Sequence, residues 1–197
     1  MPDVFTAHSS MFRLNLFWAS SQEPAKKLFR DPEMVALKDI IKAEKRVIDL
    51  GRWGQGHISR SAFPITSSKN KHYKYGPEYR WRVVKFECLN HTCRILLLLC
   101  EPRLIFRATL GVEVEGSMCI LCDHEFHNSE PGWHCHLTLE DLGTVAEIVK
   151  VGIRRGHTTR WPKAKSKHSR IEFTVSEANA VSLAANLFRF EAQGSLI

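Results

Sequence analysis

Between Cys119 and His136 the chain reads C-I-L-C-D-H-E-F-H-N-S-E-P-G-W-H-C-H, which holds four of its ten histidines and three of its six cysteines. Imidazole and thiolate are the donors that borderline-soft divalent metals prefer, and packing alone rarely crowds them so tightly. On an extended strand, residues two apart share a face, so His134 and His136 would stand side by side with Cys135 turned away. A third imidazole, His124 or His127, lies across a Ser-Glu-Pro-Gly stretch that reads as a hairpin turn. Three imidazoles converging from two neighbouring strands would make an open metal site for zinc, manganese or nickel. The acids Asp123, Glu125, Glu140 and Asp141 would harden the site toward manganese or magnesium. Glu125 or Asp141 would also orient a ligand histidine or relay a proton.

The second chemical signal is cationic. Residues 152–170 contain Arg154, Arg155, Arg160, Lys163, Lys165, Lys167 and Arg170 and no acid, while residues 52–82 carry seven lysines and arginines against Glu78 alone. Two basic segments flanking a candidate metal site point to a polyanion, because phosphates gain from clustered cations through counterion release. Trp53, Tyr73, Tyr75, Tyr79, Trp81 and Trp161 lie among these cations and offer faces on which unpaired bases stack. The expected ligand is therefore single-stranded DNA or RNA, gripped by Lys71, Lys74, Arg154, Arg155, Arg160, Lys163, Lys165 and Lys167.

These side chains need a frame to hold them. From Trp81 onward the hydrophobic period is two, and Arg80–Leu89, Cys93–Glu101, Arg103–Glu115, Met118–His127 and Gly132–Leu139 read as strands separated by short breaks. In the third, Leu104, Phe106, Ala108, Leu110, Val112 and Val114 would share one face. Residues 24–50 have helical spacing, a second helix would run from Thr138 to about Arg155, and a last one from Ser176 to near Gly194. Residues 170–175 would form a short strand. The expectation is an α+β fold: a five-stranded antiparallel meander with helices packed on it. Residues 1–50 form an N-terminal helical segment, 51–80 a basic loop and 81–197 the sheet domain, all within one domain.

The hairpin around Pro131 resembles the HUH endonucleases, the relaxases and rolling-circle replication initiators that nick single-stranded DNA. His134-Cys135-His136 fits their histidine–hydrophobic–histidine signature, and His124 followed by Pro131 is similar to the upstream histidine and turn of the relaxase-like members. The resemblance covers about fifteen of the 197 residues. It implies a metal that polarises the scissile phosphate and a nucleophilic tyrosine. No tyrosine follows His136, which leaves Tyr73, Tyr75 and Tyr79 as the positions for that role. A second resemblance is to the 2H phosphoesterases: His57-Ile58-Ser59 and His136-Leu137-Thr138 match their paired His-x-Ser/Thr motifs, and imply metal-free acid–base chemistry by His57 and His136. A third reading is not enzymatic. The cluster would be a closed structural zinc site, and the protein a nucleic-acid-binding subunit with protein partners in a larger nucleoprotein complex.

Composition sets the outer bounds. With 44% hydrophobic and 25% charged residues and a formal charge of +7, the chain has the make-up of a globular domain. Its longest apolar run, Ile95 to Cys100, is too short to span a bilayer. Six cysteines without a recognisable secretion signal predict reduced thiols in a cytoplasmic setting, and Cys88, Cys93, Cys119 and Cys122 read as small buried hydrophobes rather than as a four-cysteine zinc site. Nucleases of this size are common in mobile elements and antiviral defence, which sets the expected context by analogy.

Overall fold

The computed structural model describes residues 35–59, 61–64, 75–127, 130–138, 143–147, 158–161 and 173–192. Its elements are α1 (Leu37–Lys42), β1 (Arg46–Asp49), β2 (Gly54–Gln55), β3 (Arg80–Cys88), β4 (His91–Cys100), β5 (Ile105–Val114), β6 (Ser117–His127), β7 (Glu130–Thr138), β8 (Thr158–Trp161) and α2 (Ala180–Phe188). The strands form one antiparallel sheet in the order β1-β3-β4-β5-β6-β7-β8, with β2 also paired to β3. The fold class is α+β, and its centre, β3 to β7, is the five-stranded meander that the period-two pattern predicts. Short strands at both edges extend it to eight.

Two-residue turns drive the meander. Leu89 and Asn90 join β3 to β4, and Glu115 and Gly116 join β5 to β6, all with positive φ. That geometry matches strand twist and makes tight hairpins. Inward residues of β3, β4 and β5, among them Val84, Phe86, Ile95, Leu97, Phe106, Ala108, Leu110 and Val112, build the main core. It is covered by Leu37 and Ile40 of α1 and by Val181, Ala184, Ala185 and Phe188 of α2. On the opposite face Val83, Leu96, Met118 and Ile120 pack under Ile58 and Phe63 in a smaller cluster. The Arg94 guanidinium pins that cover by donating to the carbonyls of Ser61 and Ala62.

Several elements depart from the sequence expectation. Within the described part of 24–50 the helix is confined to Leu37–Lys42, and Arg46–Asp49 is a strand. Val47 and Ile48 fit helical spacing, but pairing with β3 supplies long-range hydrogen bonds that no local pattern encodes. Leu104 leaves the apolar stripe of β5: it adopts a left-handed conformation after a short 3-10 turn and is exposed. Residues 145–147 are helical, residues 173–175 form no strand, and α2 begins at Ala180 rather than Ser176. Asn179 closes the entry by accepting the Ser176 N–H on Oδ1, and left-handed Arg189 ends the helix well before Gly194. Among the described residues no helix is long and apolar enough to cross a membrane.

The approach of β1–β2 to β3 depends on Gly51. It sits at φ +64°, and a Cβ built there would fall 2.1 Å from the Val83 carbonyl oxygen. Gly51→Ala therefore combines a left-handed backbone penalty with a clash against main chain that cannot rotate away. It should cost more than about 2 kcal/mol, measured as a lower urea midpoint at unchanged m-value.

Candidate metal centre

Six polar side chains share one face of three adjacent strands, the face opposite the helices. Thr109 pairs with Asp123 and Asp123 with His136; Arg107 pairs with Glu125 and Glu125 with His134. Cross-strand partners project from the same side of a sheet, so the six form a grid of two rows across β5, β6 and β7.

A β-bulge puts the two acids there. Leu110 pairs with Cys122 but Gly111 pairs with Ile120, which leaves Leu121 as the extra residue in β6. One inserted residue inverts the alternation beyond it. Cys119 and Leu121 face the helix-side core, and after the bulge it is Cys122 that does so, while Asp123 and Glu125 turn to the other side.

Glu125 Oε1 lies 3.0 Å from His136 Nε2 and 3.4 Å from His134 Nε2. Among the described residues, the ligand atoms of Glu125, His134 and His136 all lie within 4.8 Å of one another, so this group could hold a metal ion. Metal–donor bonds of about 2.0–2.2 Å place neighbouring donors about 2.8–3.6 Å apart in tetrahedral or octahedral shells, and the two measured separations fall inside that range. The tautomer also fits. His134 Nδ1 is 3.0 Å from the Gly132 carbonyl oxygen, to which it donates, so in the neutral ring Nε2 presents its lone pair toward Glu125. Ligating histidines are commonly fixed by such a backbone acceptor. Two lone-pair atoms 3.4 Å apart repel unless positive charge, a cation or a proton, stands between them.

The rest of the grid holds Glu125 in place. Arg107 donates from Nε to Asp123 Oδ1 at 3.0 Å and from Nη2 to Oδ2 at 2.7 Å, and the Thr109 hydroxyl donates to Asp123 Oδ1. Asp123 is fully buried. The same Arg107 Nε is 3.5 Å from Glu125 Oε2. One carboxylate oxygen is thus turned to the guanidinium and the other to the histidines, which favours one-oxygen ligation and leaves coordination positions open. His127 lies beyond a second register shift; its Nε2 is 4.0 Å from Glu125 Oε1, and its ring meets His134 edge-on at 5.0 Å between centroids.

His134 and His136 do share a face, as their spacing requires, and Cys135 faces away. His124 does not join them. It occupies the helix-side face, where its ring stacks on Trp133 at 4.9 Å and Nδ1 meets Cys135 Sγ at 3.0 Å. The register Glu125↔His134 gives its expected place to Glu125, which becomes a ligand candidate rather than an orienting group. The Cys135 thiol is held below the ordinary thiol range, first by its hydrogen bond with Cys122 and then, against burial, by His124; that same bond and burial push Cys122 up.

Tyr79 rests against Tyr75 at 5.5 Å and under the Arg103 guanidinium at 5.7 Å. His57 and Ser59 are exposed. Arg160 is the backbone register partner of His136 through β8. Tyr73, Asp141, Lys71, Lys74, Arg154, Arg155, Lys163, Lys165 and Lys167 lie outside the described residues. Arg107 and Thr109 were not expected at the site. Their trace in the sequence is polar residues at alternate positions of a largely apolar strand, Arg107 and Thr109, with Glu113 farther along it. No family model, curated protein or solved structure matches the chain.

Proposed function

We propose that this protein is a metal-dependent nucleic-acid-processing enzyme, an endonuclease or phosphodiesterase, whose divalent cation is held by Glu125, His134 and His136. The observation that carries the reading is the convergence of these three donors on one sheet face with an arginine beside them. Two imidazoles and one carboxylate suit zinc or manganese better than magnesium, which favours oxygen ligands. When bound, such a cation supplies Lewis acidity toward a phosphate oxygen and makes water a nucleophile near neutral pH.

The protein's own groups divide the remaining work. Arg107 keeps Glu125 Oε2 occupied and sets a positive charge beside the scissile group. His127, a quarter exposed and just outside the ligand set, takes the proton of the attacking water and returns it to the leaving oxygen. The basic segment that includes Arg160 and continues to Lys167 would hold the phosphate backbone, as would Lys71 and Lys74. Support for a nucleic-acid substrate is the charge pattern together with the pairing of β8 alongside the histidine strand. A cytoplasmic role in a mobile element or in antiviral defence is part of this reading.

The alternative is a zinc-stabilised binding subunit, favoured by the nearness of His127, which would close the shell as a fourth ligand. The deciding experiment cleaves labelled single-stranded DNA and RNA with manganese, zinc, magnesium or EDTA, using wild type, His134→Ala/His136→Ala and His127→Ala. Metal-dependent cutting should vanish in the double variant. In His127→Ala the rate should fall about 100- to 10,000-fold with metal affinity retained. Tight binding without cutting, and a His127→Ala protein that no longer binds metal, would instead identify the structural module.

A further inference from the structure

The reverse side of the histidine strand carries a second arrangement that the metal centre does not use. Cys122 of β6 and Cys135 of β7 both project toward the helix-side core. Their register partners are Leu137 and His124, so the two cysteines are diagonal neighbours across the strand pair. Diagonal positions in antiparallel sheets are about 7–8 Å apart at the backbone. Both side chains stand on the same face of adjacent strands, which brings their Cβ atoms nearer than their backbones. Cys135 also contacts His124 Nδ1 at 3.0 Å and is half-buried, whereas the other five cysteines are buried.

We propose that Cys122 and Cys135 are an oxidation site that closes reversibly into a cross-strand disulfide under hydrogen peroxide. In the first step the Cys135 sulfur attacks one peroxide oxygen. The O–O bond breaks, water leaves with the thiol proton, and Cys135 becomes a sulfenic acid. The Cys122 sulfur then attacks that sulfur, the S–O bond breaks, and a second water carries off the hydroxyl group and the Cys122 proton. Two thiols are oxidised, one peroxide is reduced to two waters, and one S–S bond forms.

Geometry makes the bridge labile. Disulfides are comfortable with Cα atoms about 4.4–6.8 Å apart, and a diagonal pair lies at or beyond that limit. Closure must therefore draw β7 along β6, and bridges under such strain are the readily reduced, regulatory kind. The proposal needs no cation and uses the opposite face of β6 and β7, the two strands that also carry Glu125, His134 and His136.

The test is peptide mapping by mass spectrometry of the full-length protein after mild peroxide treatment, alkylation of remaining thiols and proteolysis without reductant. The expected result is a Cys122–Cys135 linked peptide in high yield, lost on treatment with millimolar glutathione. Cys122→Ser should yield sulfenic or over-oxidised Cys135 and no linked peptide, showing Cys135 as the attacking residue. Oxidation confined to sulfinic or sulfonic acid on Cys135 in the wild type overturns the proposal. So does a wild type in which both thiols stay fully alkylatable after unfolding. Because the decisive comparison is made on wild-type protein, a poorly folding variant cannot obscure it.

Discussion

Glu125→Gln is expected to weaken binding of zinc or manganese by more than about 100-fold while leaving the protein folded. Loss of groups that merely orient ligands already costs about 10- to 100-fold in affinity, and this substitution removes an anionic donor from the set. Shape is retained: a glutamine amide occupies nearly the same volume, and its Nε2 or Oε1 can still meet His136, which the carboxylate approaches at 3.0 Å. Charge is what changes. Glu125 and Asp123 face Arg107 as two acids to one base, so a divalent cation arriving beside two neutral imidazoles meets a pocket of net charge about −1. With glutamine that charge becomes about zero and the attraction is lost. Isothermal titration with zinc, run beside a melting curve in EDTA, separates the two effects. Unchanged affinity would remove Glu125 from the ligand set and shift the centre toward His127.

Which residue stands third in that set also shows how far the sequence could be read. The pairing of His134 with His136 is a two-residue period and needs no knowledge of the fold. The same holds for the stripe Phe106, Ala108, Leu110, Val112 and Val114, which the core confirms. The third donor depends on quantities that periodicity does not contain. The offset between β6 and β7 sets Glu125 opposite His134, and the inserted residue at Leu121 sets that row on the same face as Arg107 and Thr109. Without that bulge the odd positions of β6, and the paired histidines with them, would have faced the helices, while His124 would still have stood opposite Cys135. The N-terminal region shows the same limit. Val47 and Ile48 satisfy a helical spacing, yet they lie beside the free edge of β3, and sheet pairing overrides local preference.

Asp123→Ala should be the most damaging single change at the site, because it strikes both the fold and the metal centre. Asp123 has no exposed surface and accepts two guanidinium hydrogen bonds and one hydroxyl. Removing one partner of a buried ion pair costs about 3–5 kcal/mol, chiefly because the other charge is left uncompensated. Here Arg107 keeps about a third of its side chain in water, 35% exposed, so the low end, about 3 kcal/mol, is the expected loss in urea unfolding. Among the described residues, the released guanidinium has Glu125 to turn to. Its Nε already lies 3.5 Å from Glu125 Oε2, and a full bidentate pairing would take both oxygens and draw Oε1 from the histidines. Metal affinity should then fall in Asp123→Ala although no ligand has been touched. The double variant Arg107→Met/Asp123→Ala separates the causes, since it removes the stranded charge. Recovery of much of the stability and of metal binding would assign the damage to misdirected Arg107. If stability returns and metal binding does not, the orienting role belongs to Asp123 itself, through its place opposite His136 in the register.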